Sequence, residues 1–294
     1  MNPNSVMQTS LNIPGVTLFK RGKVRDVYDL GEHLLIVSTD RLSAFDVIMK
    51  EPIPEKGKIL TTISSFWFQK LKDVVPNHFV STDFLSHYPQ LETEKEQLQG
   101  RSMIVKKAKL IPYECIVRGY LLGSAYRDYQ KTGTMAGYPL PKGLHKGSRL
   151  ETPMFTPSTK AEEGHDENIS FDSMKDSVGD IANTLHKYSL EVFQKASEYA
   201  LSKGIIIADT KIEFGFVDDQ IIIIDELFTP DSSRFILKED YDQGFIDKSM
   251  DKEYIRSYLA SLEWDQKPPP PSIPSDVIAK TRQRYNDITN LLLP

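Results

Sequence analysis

The segment from Gly204 to Val217, GIIIADTKIEFGFV, constrains this chain more than any other. Its first half is almost wholly apolar and its second half alternates. Successive side chains of a strand point to opposite faces, so Asp209, Lys211 and Glu213 share one face while Thr210, Ile212, Phe214 and Phe216 share the other. The aromatic face has to be core. The opposite face then carries a cation between two anions, next to Ile205-Ile206-Ile207. Charge so close to a core is costly unless it is paired or used, so this strand predicts a site as well as a sheet. A second run, Gln220 to Phe228, follows through Asp218-Asp219 and predicts a hairpin that brings Asp225-Glu226 close to Glu213. One residue of register decides which side chain faces it. Carboxylates on adjacent strands suit a hard Mg²⁺ ion whose other ligands are substrate phosphates, and Lys211 beside them suits those phosphates. The plainer reading is a set of structural ion pairs.

Around this strand the chain reads as α+β, with a cleft between two lobes. Lys23–Tyr28 and His33–Ser38 flank Asp29-Leu30-Gly31-Glu32 as a hairpin, and Arg101–Lys107 is a further strand. Leu60–Val74 is a helix by the spacing of Phe66, Trp67, Phe68 and Leu71, and Asp176–Lys203 is another, ended by Gly204. The stretch from Ala136 to Gly164 is rich in Gly, Pro, Thr and Lys and shows no period, which marks a functional loop. Lys267–Pro274 reads as a stiff spacer leading into a last helix, Ser275–Leu293. The expected division is a strand-rich nucleotide-binding lobe over 1–108 and a mixed lobe with the metal and substrate sites over 109–294.

Composition narrows the setting. The chain has 294 residues, 36 Lys+Arg against 41 Asp+Glu and a formal charge of −5. That balance argues against general nucleic-acid binding. A lone Cys115 excludes an internal disulfide framework and fits a reducing compartment. No apolar run reaches the ~18 residues of a membrane span. The start, MNPNSVMQTSLNIPG, lacks a basic region followed by an apolar one, so the expected location is the cytoplasm.

Four further segments carry chemistry. Arg21-Gly22-Lys23-Val24-Arg25 can bring backbone N–H groups and ammonium groups to phosphates, or be a solvated basic turn. There is no Walker or Rossmann glycine motif. In ECIVRGYLLGS, Arg118 offers a bidentate fork to an anion and Gly123-Ser124 an N–H and a hydroxyl, while Cys115 reads as a small core residue. The loop FTPSTKAEEGHDEN is dense enough in charge to order around a polyanion, though a linker looks the same; one Cys and unpatterned His residues disfavour zinc. Thr229-Pro230-Asp231-Ser232-Ser233-Arg234 follows the acidic pair and turns Arg234 towards it, as Ser38–Asp46 follows the first hairpin. Together these describe a site for a nucleoside triphosphate and a second anionic small molecule.

The stretches RGKVRDVY (21–28), STDRLSAFDV (38–47), ECIVRGYLLGSAYRDY (114–129), FTPSTKAEEGHDENIS (155–170), ADTKIEFG (208–215) and DELFTPDSSRF (225–235) resemble, in order, the motif series of the SAICAR synthetases, the phosphoribosylaminoimidazole-succinocarboxamide synthases of purine synthesis. The loop around 130–160 and the extended C-terminus resemble the longer, yeast-like members. The resemblance implies two lobes related to ATP-grasp enzymes and protein kinases, with ATP between them. It implies that ATP, L-aspartate and carboxyaminoimidazole ribonucleotide give ADP, phosphate and the succinocarboxamide, through an acyl phosphate. By motif position, Gly22, Lys23 and Lys211 resemble the ATP-phosphate group, and Glu213 with Asp225 the Mg²⁺ ligands. Arg118, Ser124 and Arg234 resemble the cradle of the ribonucleotide phosphate, and Lys160 and Asp166 lie near the imidazole. Lys211, Lys160 and Asp166 are the expected catalytic residues. Ser43, Ala44 and Asp46 match a loop at the aspartate end, and Lys109 to Glu114 the link between lobes, where adenine binds and Glu114 reaches the ribose. Phe228 and Ile236 depart mildly from the family pattern. A small-molecule kinase would need no separate phosphate cradle. A regulatory module without catalysis, or a purely structural protein, would not need this strand face.

Overall fold

The computed structural model describes residues 5–160 and 167–294. Its first lobe is a five-stranded antiparallel sheet in the order Thr17–Arg21, Arg25–Asp29, His33–Ser38, Ser102–Lys106, Phe79–Ser81. The first hairpin is as read, with Arg25 opposite Ser38 and Asp29 opposite Leu34. Gly31 turns it at a φ of 91°, a conformation glycine adopts without strain.

The second sheet is built on two long strands, Lys109–Tyr120 and Ile205–Val217, paired antiparallel. Arg149–Phe155 and Ser158–Thr159 flank the former. Along its outer edge the latter pairs first with Ser233–Leu237 and then with Gln220–Ile224. The chain between these two edge strands, 225–232, therefore leaves the sheet beside Lys211, whose N–H donates to the Ser232 carbonyl at 2.9 Å. Asp225 and Phe228 take left-handed φ values of 69° and 47° in this excursion.

Three expectations need correcting. The helix expected over Asp176–Lys203 is two, Phe171–Val178 and Ile181–Ser202, because Gly179 breaks the run at a φ of 61°. The irregular stretch 136–164 contains the strand Arg149–Phe155; its pairing skips register between Arg149 and Met154, which hides the two-residue period. The strand expected to reach Phe228 ends at Ile224.

The helix Lys56–Lys70 starts earlier than its apolar stripe suggests. Asp40 accepts the Gly57 N–H at 2.9 Å and is itself held by Arg101 at 3.0 Å. A Cβ on Gly57 would stand 2.1 Å from the Ser38 carbonyl oxygen, so only glycine admits this approach.

The chain crosses between sheets at Lys107-Ala108, but the lobes share one core. A single apolar cluster holds Ile36, Trp67 and Val105 together with Val117, Ile212, Phe228 and Tyr285. The backbone joins them too: His78 N–H donates to Ile223 and Lys106 N–H to His78, at 3.0 and 2.8 Å. The end of the spacer packs, with Ile273 and Val277 against Leu42, Met49 and Ile53. None of the described helices is long and apolar enough to cross a membrane.

Candidate active site

Register arranges the charged strand face into rows. Asp209 stands opposite Arg118 on one neighbouring strand and opposite Arg234 on the other. Arg118 reaches Asp209 at 3.3 Å, Thr156 Oγ1 at 3.0 Å and Ser124 Oγ at 3.4 Å; Arg234 reaches Asp209 at 2.5 Å and Glu253 at 3.6 Å. The three residues expected to cradle a phosphate are thus together, around a carboxylate that the motifs did not assign. Asp209 raises the Arg234 pKa above the ordinary arginine range, while burial lowers that of Arg118. Gly123, at a φ of 57°, makes room: a Cβ there would lie 2.4 Å from Arg234 Nη2.

Four residues along, Glu213 stands opposite Glu114. Its partner on the outer side is Ile224, not a member of the acidic pair. Lys211 bridges the two glutamates, 2.9 Å from Glu114, and Lys160 closes on Glu213 from the loop before the undescribed residues. Burial opposes ionisation of Glu213, yet Lys211 and Lys160 outweigh it and hold the carboxyl well below the usual range. Burial likewise works against the Lys211 ammonium, but Glu213, Glu114 and Asp225 raise its pKa.

Asp225 faces the same place from the excursion, through Arg25, which ion-pairs with Asp225 and reaches Glu226 at 2.8 Å. Burial disfavours the Arg25 cation, but Asp225 and Glu226 overcome this and raise its pKa. Arg25 and Glu226 are functional candidates that motif matching left out. Both lie in segments that the sequence marked, Arg25 in the basic turn and Glu226 in the acidic pair, but nothing in the sequence shows that they meet.

Lys23 is half exposed and ion-paired with Asp46, so the glycine turn and the 43–48 hairpin meet. Asp46 sits at that hairpin's tip, at a φ of 63°, while Ser43 and Ala44 are buried in its first strand. Gly22 closes its own turn, donating to the Arg25 carbonyl at 2.8 Å and accepting from Arg41 at 2.9 Å. Lys109 is exposed where the second sheet begins. Its carbonyl lies 2.9 Å from where a Cβ on Gly215 would stand. Cys115 is fully buried and burial raises its thiol pKa, as suits a core residue. Asp166 lies outside the described residues.

The donor set is one of hard oxygens. Among the described residues no three His, Cys, Asp or Glu side chains form a metal cage. Two carboxylates beside cationic side chains fit Mg²⁺ carried on phosphates, since that ion keeps water and needs only one or two protein ligands.

Residues 18–271 match the family model described as SAICAR synthetase. A phosphoribosylaminoimidazole-succinocarboxamide synthase of Thermodesulfovibrio yellowstonii is 54% identical over 98% of this chain and 99% of its own. One from Pelobacter propionicus is 53% identical over 96% of this chain and 95% of its own. Among solved structures, a Saccharomyces cerevisiae SAICAR synthase complexed with SAICAR superposes with a TM-score of 0.86 at 40% identity, covering 98% of each chain.

Proposed function

The chain belongs to the SAICAR synthetase family and is an ATP-dependent ligase of purine synthesis, and from that premise we propose how its residues divide the work. The observation that carries the proposal is the spacing of the rows. Asp209 and Glu213 lie on one strand face, so the arginine row and the lysine–glutamate row are about 14 Å apart at ~3.4 Å per residue. A nucleoside monophosphate can lie along that face with its phosphate on Arg118, Ser124 and Arg234. Its base carboxylate then falls near Lys160 and Lys211, and the triphosphate enters from the side of Gly22, Lys23 and Arg25. Adenine is held beside the chain crossing, along Lys109 to Glu114, which is the first half of the strand Lys109–Tyr120 rather than the link itself. The glycine turn and the excursion belong to different lobes, 1–108 and 109–294, and the cleft lies between them.

An oxygen of the carboxylate of carboxyaminoimidazole ribonucleotide attacks the γ-phosphorus. The new P–O bond forms as the bond to the β-phosphate breaks, and ADP leaves with the electron pair. The amine of L-aspartate then attacks the acyl carbon; the C–N bond forms as the C–O bond to phosphate breaks, phosphate leaves with the electron pair, and the nitrogen gives up a proton to the leaving phosphate or to water. Lys211, Lys160 and Lys23 neutralise charge on the transferred group and hold the reactants in line. Asp46, Ser43 and Ala44 form the loop facing L-aspartate. Mg²⁺, when bound by Glu213 and Asp225, supplies charge neutralisation on the phosphates. The setting is the cytoplasm, where all three substrates are small soluble molecules.

The test is ADP release with Mg²⁺-ATP, carboxyaminoimidazole ribonucleotide and L-aspartate, each omitted in turn. Release needing all three, with an equal yield of the succinocarboxamide, supports the proposal. Release without aspartate would support a kinase instead.

A further inference from the structure

The last helix, Ser275–Leu292, lies beyond residue 271, where the family match ends. It nevertheless reaches the excursion that carries the acidic pair. Tyr285, fully buried, donates its hydroxyl to Asp231 Oδ1 at 3.0 Å. The other oxygen of Asp231 is 2.7 Å from the ammonium of Lys56, itself fully buried at the start of the Lys56–Lys70 helix, and Lys252 stands 3.8 Å away. Asp231 is therefore fixed from three separate parts of the chain.

From Asp231 the contacts continue towards the cleft. Its backbone N–H donates to Thr229 Oγ1 at 3.2 Å, and that hydroxyl donates to Glu226 Oε2 at 2.5 Å. The second oxygen of Glu226 accepts from Arg25 at 2.8 Å, and Arg25 holds Asp225. Each hydroxyl has one proton; Thr229 Oγ1 accepts two backbone N–H groups, from Asp231 and Ser232, and of its two neighbouring acceptors the Glu226 carboxylate is much closer than Ser232 Oγ, at 2.5 against 3.3 Å, so the proton goes to Glu226. The direction of the line is thereby set. Buried polar groups linked in this way hold their members in one arrangement, and partial loss is felt along the line.

We propose that Tyr285 is a positioning residue for the ligase reaction, acting through Asp231, Thr229 and Glu226 on the Arg25–Asp225 pair. The proposal rests on the assignment of that pair to the nucleotide site. It gives the C-terminal helix a role beyond packing.

The test compares Tyr285→Phe with Tyr199→Phe. Tyr199 also binds the last helix, its hydroxyl donating to the Leu292 carbonyl at 2.8 Å; it meets the excursion only through its ring, which packs on Trp67 and so on Phe228, and Tyr199→Phe keeps that ring. Tyr285→Phe is expected to lower kcat about tenfold and to weaken MgADP binding in calorimetry, with the KM for the ribonucleotide unchanged. Tyr199→Phe is expected to lower the melting temperature alone. Thr229→Val should reproduce the kcat loss, Thr229→Ser should restore it, and the double variant with Tyr285→Phe should lose no more than the larger single loss. If Tyr285→Phe fails to fold, the Val and Ser pair at Thr229 reads the same line. A lower melting temperature with unchanged kcat and MgADP affinity, or losses that multiply in the double variant, would overturn the inference alone. Absence of ADP release by the unaltered chain would overturn the site assignment and the inference together.

Discussion

Glu114 and Glu213 face one another directly across adjacent antiparallel strands, both largely buried. Like charges in that relation repel and destabilise a sheet. Here Lys211 lies between them and Lys160 caps one side, so the pair persists as part of a compact alternation of charge. Such an arrangement can release cations to an incoming phosphate and accept a metal on the carboxylates it leaves.

Lys211→Met should therefore cost both chemistry and stability. ADP release is expected to fall by about 100-fold or more, the scale of losing one preorganised charge at a reacting group. The melting temperature should fall as well, because the two glutamates lose their shared cation. Ordinary turnover by this variant would remove Lys211 from the reaction.

Gly123→Ala tests the arginine row without touching an arginine. The new methyl meets the guanidinium of Arg234 and demands a left-handed backbone from alanine. Arg234 must swing away from Asp209. The KM for the ribonucleotide is expected to rise about tenfold with kcat nearly constant, as measured by initial rates. A kcat loss with unchanged KM would place the phosphate elsewhere.

Asp225→Asn is expected to abolish turnover with little loss of fold. Arg25 keeps Glu226 at 2.8 Å, so its buried charge stays paired. Circular dichroism and a melt within a few degrees of the unaltered chain, alongside loss of ADP release, check both halves.

Chelation should separate metal from fold. Glu213 and Asp225 are already paired with Lys160, Lys211 and Arg25. Adding EDTA to nucleotide-free protein is expected to leave the melting curve in place while stopping ADP release. A large drop in melting temperature would mean that a metal holds the structure together.

Acid stability should bear the mark of His78. The ring is buried 3% exposed beside Phe68, and burial with the nearby Arg25 charge pushes its pKa down to about 3. Between about 3 and 6.5 the unfolded chain binds a proton at this position that the folded chain does not. The stability it contributes is thus full above pH 6.5 and is lost as pH falls towards 3. Asp251 acts oppositely, since burial pushes it up to about 6, so its contribution is present below about 4 and lost as pH rises through 6. His78→Leu should flatten the acid limb by up to ~1.4 kcal/mol per pH unit, read from urea melts between pH 4 and 6. An unchanged slope would mean that His78 does not titrate differently in the two states.

What was legible in the sequence is what a strand or helix shows locally. The two-residue alternation over Asp209 to Phe216 assigned a charged face and an aromatic one, and Ile212 and Phe214 are indeed core. The motifs marked Arg118, Ser124 and Arg234 as companions, and they meet. Alternation states a residue's face but not its neighbour, because neighbours depend on register. Only the tertiary structure could set Glu213 opposite Glu114 and Ile224 rather than the acidic pair, and Arg118 and Arg234 on either side of Asp209. Arg25 and Asp225, or Tyr285 and Asp231, belong to segments far apart in the chain, and neither period nor spacing joins them. They are joined because one core closes across both lobes and the last helix, and buried charges inside it must find partners or pay the full cost of desolvation.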